Sequence, residues 1–199
     1  MVACNLYGLK IVDIASPENA FVAGTLSSFM TDKVYVEQNI AYVTDKQNGV
    51  RIIDVADKSA PTAVTSILDN SLNWNSARSG EIVYAGYYSG FQIIDFSDIE
   101  TAHVLKTVEL GRVFDLKING TILYVADYDQ AGLNIYDTTD RENPALIHTL
   151  PAANARHIHI HDDWLFLSCE SDGVKVFDIS TPKELEFPIS RKTTSNDVA

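Results

Sequence analysis

The chain has 199 residues, 46% of them hydrophobic and 21% charged, a balance that excludes a disordered or fibrous protein and suits a single core-bearing domain over residues 1–199. Twenty-seven acidic residues against 15 basic ones give a net charge of −12. Such a surface repels phosphate backbones and anionic lipid, which excludes nucleic acid as a partner. No run of 18 apolar residues occurs, so no membrane insertion by a helix is expected in this segment.

The first residues, Met1-Val2-Ala3-Cys4, lack a basic stretch followed by an apolar one, so this segment carries no signal peptide. They match the end of a second strand, as in Tyr42-Val43-Thr44-Asp45. From Gly8 onwards a motif recurs. It reads GLKIVDIASPENA from Gly8, GVRIIDVADKSAP from Gly49, GFQIIDFSDIETA from Gly90, GLNIYDTTDRENP from Gly132 and GVKVFDISTPKEL from Gly173. Its aspartates, Asp13, Asp54, Asp95, Asp137 and Asp178, are spaced by 41, 41, 42 and 41 residues.

Four of these segments follow a second apolar run: IAYVTD ending at Asp45, IVYAGY at Tyr87, ILYVAD at Asp127 and LFLSC at Cys169. Ahead of three of those lies an alternating run (KVYVEQN, DLKING, HIHIHDD), and a further strand-like run follows the aspartate motif (TAVTSIL, HVLKTVEL, ALIHTL). Each unit reads as four short strands rich in Val, Ile and Tyr, divided by turn residues such as Gln38-Asn39, Asn119-Gly120 and Asp162-Asp163. No window has a 3.6-residue period, so helix is expected to be nearly absent.

Four strands in about 41 residues is the size of one propeller blade. The spacing predicts an all-β β-propeller of about five four-stranded blades, anchored at Gly8, Gly49, Gly90, Gly132 and Gly173, with the first and last units incomplete. Blades stacked face to face bury both sides of each sheet, which explains strands that read as continuous apolar runs. Asp197-Val198-Ala199 matches the start of a first strand. The chain is therefore expected to be either a five-unit ring or a fragment of a larger propeller, with the fragment favoured. An unclosed blade leaves a strand edge that invites association. Tyr42, Tyr84, Tyr124 and Phe166 are expected between blades. The repeated aspartates are expected to cap loop N–H groups, and the repeated glycines to supply positive φ.

The aspartate segments resemble the LVIVD-repeat family. Asp115-Leu116-Lys117-Ile118-Asn119-Gly120, Leu123-Tyr124-Val125-Ala126-Asp127 and Gly132-Leu133-Asn134-Ile135-Tyr136-Asp137 carry the closest likeness. That resemblance implies a propeller of bacterial or archaeal cell-surface or secreted proteins, and hence an extracellular or cell-surface location. It brings no catalytic motif.

Where the repeat breaks its own rule, loops are free to carry function. The connections between units hold Asp32, Trp74, Arg112, Phe114, Asp115, Arg156 and His157. Their convergence at one mouth would suit a small anionic or carbohydrate-like ligand. Trp74, Arg112, Phe114, Asp115, Arg156 and His157 are the candidate ligand-binding residues.

His157, His159 and His161 share one side of a strand, and His157 with His159 form a candidate metal pair. The third histidine lies about 13 Å from the first along a strand, too far to share one ion. Lys33, Asp115 and Asp197 match the His157 position, and Tyr35 and Lys117 match His159, which weighs against a metal ring. Asp127, Tyr128 and Asp129, with Asp45, Glu170 and Asp172 in sister loops, form a weak calcium pattern without the spacing of a calcium loop.

Cys4 and Cys169 suit neither a disulfide scaffold nor a zinc knuckle. Nucleophile elbows, phosphate-binding loops and dinucleotide fingerprints are absent. The expectation is a non-catalytic binding scaffold within a larger surface or secreted protein, with a protein or glycan partner and no cofactor. The alternative is a metal-dependent hydrolase or oxidoreductase at His157 and His159.

Overall fold

The structure, a computed structural model, describes residues 1–45, 49–67, 75–129 and 132–182. Trp74 and the Asp197–Ala199 segment lie outside the described residues.

Among these residues the chain forms five antiparallel sheets in sequence order. The first contains β1 (Val2–Ala3), β2 (Leu9–Asp13) and β3 (Phe21–Leu26). The second contains β4 (Thr31–Glu37), β5 (Ile40–Asp45), β6 (Gly49–Asp54) and β7 (Thr62–Ile67). The third contains β8 (Asn75–Ser79), β9 (Ile82–Tyr87), β10 (Gly90–Asp95) and β11 (His103–Glu109). The fourth contains β12 (Val113–Asn119), β13 (Ile122–Asp127), β14 (Gly132–Asp137) and β15 (Ala145–Pro151). The fifth contains β16 (His157–His161), β17 (Trp164–Cys169) and β18 (Gly173–Asp178). Among the described residues three sheets thus have four strands, and the first and fifth have three. The only helical turns among the described residues are short 3-10 segments at Pro17–Asn19 and Glu170–Asp172.

The repeated residues do local work that is the same in every unit. Asp13, Asp54, Asp95, Asp137 and Asp178 each accept a hydrogen bond from the backbone N–H two residues on, at 2.7–3.0 Å. Each bond holds the turn that leaves the motif strand. Gly8, Gly49, Gly90, Gly132 and Gly173 all have positive φ. At Gly90 a Cβ would also lie 1.9 Å from the Val108 carbonyl oxygen, so only glycine fits. The pairing of motif strand with outer strand shifts register at the same place in four sheets: Ile11/Val12, Ile52/Ile53, Ile93/Ile94 and Ile135/Tyr136. A bulge repeated at one position adds the same extra twist to every outer strand.

Alternate residues of each strand face opposite neighbours, and four apolar clusters result, one per sheet-to-sheet junction. Leu9 and Ile11 pack on Ala41, Val43 and Ile53. Tyr42, Val50 and Ile52 pack on Val83, Ala85 and Phe96. Tyr84 and Phe91 pack on Val113, Leu116 and Tyr136, and Phe91 meets Tyr136 edge to face at 5.3 Å between ring centroids. Tyr124, Leu133 and Ile135 pack on Ile158, Leu165, Leu167 and Phe177.

Tyr42, Tyr84 and Tyr124 are buried between sheets as their pattern predicts. Phe166 differs: it is half-buried, on the side of β17 that faces away from the fourth sheet. Its side chain has the alternation of a core residue, but among the described residues none of the four clusters covers that side.

Candidate functional site

In an antiparallel unit, the turn from second to third strand and the connection from fourth strand to the next unit open on the same end. The loops that vary most, carrying Tyr88, Arg112, Tyr128, Asp129, Arg156 and Glu170, therefore share one face. There they assemble a stack of cations and rings. The Arg112 guanidinium lies 4.6 Å from the Tyr128 ring centroid and 6.0 Å from that of Phe114. The Arg156 guanidinium lies 4.5 Å from Phe114 and 5.8 Å from Tyr128. Phe114 and Tyr128 meet edge to face at 5.1 Å, and Tyr88 flanks Arg112 at 5.9 Å. Planar guanidinium groups over ring faces gain cation–π attraction and are held in fixed orientations.

Each arginine has a carboxylate partner. Arg112 makes a forked contact to Asp129 through Nε and Nη2, and its backbone N–H also donates to Asp129 at 3.0 Å. Arg156 Nε sits 3.1 Å from Glu170 Oε1 as an ion pair, not aligned as a hydrogen bond. The Tyr128 hydroxyl donates to Glu170 Oε2 at 2.9 Å. The hydrogen bonds between Arg112 and Asp129 raise the guanidinium pKa and lower that of the carboxyl. The hydrogen bond to Glu170 raises the Tyr128 phenol. Two cations and two anions leave the cluster near neutral within a strongly acidic protein.

Of the residues singled out from sequence, the structure brings Arg112, Phe114 and Arg156 together. Asp115 lies beneath the face, buried, in a different role. Its Oδ1 accepts from Asn75 Nδ2 of β8 and from Lys117 Nζ at 3.3 Å, and its Oδ2 accepts from the Ile158 N–H of β16 at 2.8 Å. The carboxylate thus joins the first strands of three consecutive sheets. Trp74 lies outside the described residues, and of Asp32 only the backbone is described.

His157, His159 and His161 are all exposed along β16, while Ile158 between them is buried. Among the described residues no group of three or more His, Cys, Asp or Glu side chains converges to hold a metal. Asp129 and Glu170, a weak calcium pattern in the sequence, engage Arg112 and Arg156. Sequence reading missed that Tyr128 and Tyr88 flank Arg112. Its one signal was an aromatic residue directly after the second strand in two consecutive units, Tyr88 after Tyr87 and Tyr128 after Asp127.

The opposite end of the molecule holds an open cleft of about 780 Å³ between the third and fourth sheets, lined by Glu81, Asp95, Asp140, Arg141 and Glu142 among others. Its aspartates are engaged in loop turns, Asp95 with Ser97 and Asp140 with Glu142 and Asn143.

A stack of similar sheets with a side-chain cluster on the loop face defines a propeller-type repeat protein. The LVIVD repeat matches residues 30–69 and 110–150, spans that enclose the second sheet and nearly all of the fourth, so the chain carries LVIVD repeats. Among curated proteins no sequence match emerged.

Solved structures share the fold. A protein from Lactobacillus plantarum aligns with a TM-score of 0.79 at 13% identity, over 96% of this chain and 65% of that one. A periplasmic gluconolactonase from Pseudomonas aeruginosa aligns at 0.73 and 12%, over 91% and 62%. A putative 6-phosphogluconolactonase from Bacteroides fragilis aligns at 0.72 and 11%, over 91% and 63%. The chain thus spans less than two thirds of these structures' length. No described helix is long and apolar enough to cross a membrane.

Proposed function

We propose that this chain is a non-catalytic binding scaffold, the propeller domain of a larger cell-surface or secreted protein, and that a protein or glycan partner docks on the face formed by Arg112, Phe114, Tyr128 and Arg156. The observation that carries this reading is the stack itself. Arginine and tyrosine are the side chains that dominate binding hot spots, and here they sit on the loops where the repeat departs from its pattern. Their carboxylate partners hold them in place before any ligand arrives, which lowers the ordering cost of binding. Near neutrality means that a partner need carry no particular charge and is held by ring faces and oriented N–H donors.

The test is binding of the purified chain to a glycan array and to intact cells of its source, set beside an Arg112→Ala/Arg156→Ala variant with the same circular dichroism. The variant is expected to lose the binding of the wild type. Equal binding by both, or none by either, overturns the reading.

A second reading follows from two neighbours named as gluconolactonases, with the paired guanidinium groups as the observation in its favour. It predicts turnover of gluconolactone or its 6-phosphate that the same double variant abolishes. The metal-dependent alternative at His157 and His159 predicts stoichiometric metal in untagged protein, lost in His157→Ala.

A further inference from the structure

The two arginines of the loop face are not alike. Arg112 is closed: Asp129 takes its Nε and Nη2 in a fork and accepts its backbone N–H as well. Arg156 is not. Its Nε is buried with no hydrogen-bond partner among the described residues, and Glu170 Oε1 lies against it at 3.1 Å as an unaligned ion pair. The other oxygen of Glu170 is held by the Tyr128 hydroxyl at 2.9 Å. A carboxylate thus stands on the Arg156 guanidinium without completing the fork that a guanidinium offers. A buried N–H left unpaired is unfavourable, and a carboxylate that aligns there relieves it.

The place is within reach of a ligand. Arg156 and Glu170 are 41% and 40% exposed. They open on the loop end of the stack, which the packing of sheet on sheet does not cover: Arg112 keeps 31% exposure although the fourth sheet has a packed neighbour on each side. Nor does the net charge of −12 forbid an anion here. Glu81, Asp95, Asp98, Glu100, Asp140 and Glu142 sit in the turns of the opposite end. A six-residue strand places that end about 20 Å away, which is about two Debye lengths at physiological salt.

We infer that the loop face recognises a sugar acid, whose carboxylate takes the place of Glu170 on Arg156. This rests on the loop-face reading and names the group that a glycan partner presents there. The built-in carboxylate marks the chemistry, a planar pair of oxygens against a guanidinium stacked on Phe114 at 4.5 Å. Hydroxyl groups decide the rest. A displaced Glu170 faces a second carboxylate, and like charges at short range repel. Hydroxyl donors on the same ligand bridge the two and offset the repulsion. A uronate carries such hydroxyls on the ring that bears its carboxylate, and a peptide carboxyl terminus does not. A glycan of any net charge can contain one such residue.

The test is a titration of the isotope-labelled full chain followed by NMR, read at the Arg156 Nε–H and at backbone amides of the loop end. The probes are sodium glucuronate, glucose, which lacks the carboxylate, and N-acetylglycine, which lacks the hydroxyls. Glucuronate is expected to saturate with a Kd on the order of 1 mM, and the other two to bind at least about tenfold more weakly. Arg156→Lys, a point charge that cannot fork onto two oxygens, is expected to weaken glucuronate by about tenfold or more. Glu170→Gln removes the internal competitor and is expected to tighten it by about two- to fivefold. Circular dichroism confirms that each variant folds. No saturable glucuronate binding, equal binding of N-acetylglycine, or binding unchanged or weakened in Glu170→Gln overturns the inference. An array partner without an acidic sugar that is lost in Arg112→Ala/Arg156→Ala also overturns it, while leaving the loop-face reading in place.

Discussion

Replacing Asp115 with alanine tests whether its carboxylate is a clamp between sheets. The side chain is 4% exposed and accepts from two buried donors, the Asn75 amide and the Ile158 N–H. Leaving a buried donor unpaired costs about 1–3 kcal/mol. Two such donors give about 4 kcal/mol, offset by about 1 kcal/mol because a buried charge is also removed. The third partner, Lys117, is 42% exposed, and its screened pairing contributes well under 1 kcal/mol.

A net loss of about 3 kcal/mol lowers the melting temperature of a domain of this size by about 6–12 °C. Thermal unfolding followed by circular dichroism reads it directly. Asp115→Asn is expected to fall nearly as far, because the amide turns a donor toward a donor already there, the Ile158 N–H or the Asn75 amide. A melting temperature within about 2 °C of wild type for the alanine variant would refute the clamp.

Other outcomes follow from the same reasoning. Arg51→Ala removes a partner, at 2.6 Å, of the fully buried Asp45 carboxylate and a guanidinium 4.8 Å from the Phe29 ring, and should cost about 2–3 kcal/mol in urea unfolding. Gly86→Ala places a Cβ 2.7 Å from Leu116 and from Val113 across the third junction, and should destabilise by about 1–3 kcal/mol through overpacking. Burial pushes the Tyr84, Tyr124 and Tyr136 phenols up to about 12. The folded state holds them neutral, so their stability is full below about pH 10 and falls as pH rises from there toward 12. Phenolate absorbance should show these three phenols still neutral at pH 10 and ionising only near 12.

At the other end of the scale, the turns at Asp95 and Asp178 hold both carboxyls below 3.8, through the backbone N–H of Ser97 and the hydroxyl of Ser180 respectively. Their contribution is full above about pH 4 and is lost as pH falls through the lowered values. Acid unfolding of Asp95→Asn should therefore show a weaker dependence on pH in that window than the wild type.

The architecture was legible because each unit solves its folding problem within about 41 residues. The glycine, the two flanking apolar runs and the aspartate all act on backbone a few residues away: Asp137 caps Thr139, and Gly132 begins the strand that pairs with β13. Local requirements of that kind recur wherever the unit recurs. Arg112, Phe114 and Arg156 could be grouped because loops of one kind open on one end of an antiparallel stack. The half-buried state of Phe166 could not be read, since its alternation matches that of Tyr124 and only the presence of a covering sheet among the described residues separates them.

The sequence by itself determined strand number, turn chemistry and the junction faces, because these depend on spacing and side-chain type along one unit. Only the tertiary structure decided what each charge does. Asp115 and Asp129 are both acidic residues of the fourth unit, yet one is buried between Asn75 and Ile158, 40 and 43 residues away, and the other grips a half-buried arginine. A carboxylate's burial and partners are set by neighbouring sheets, and the distance between sheets in space is not written in the spacing of residues within one.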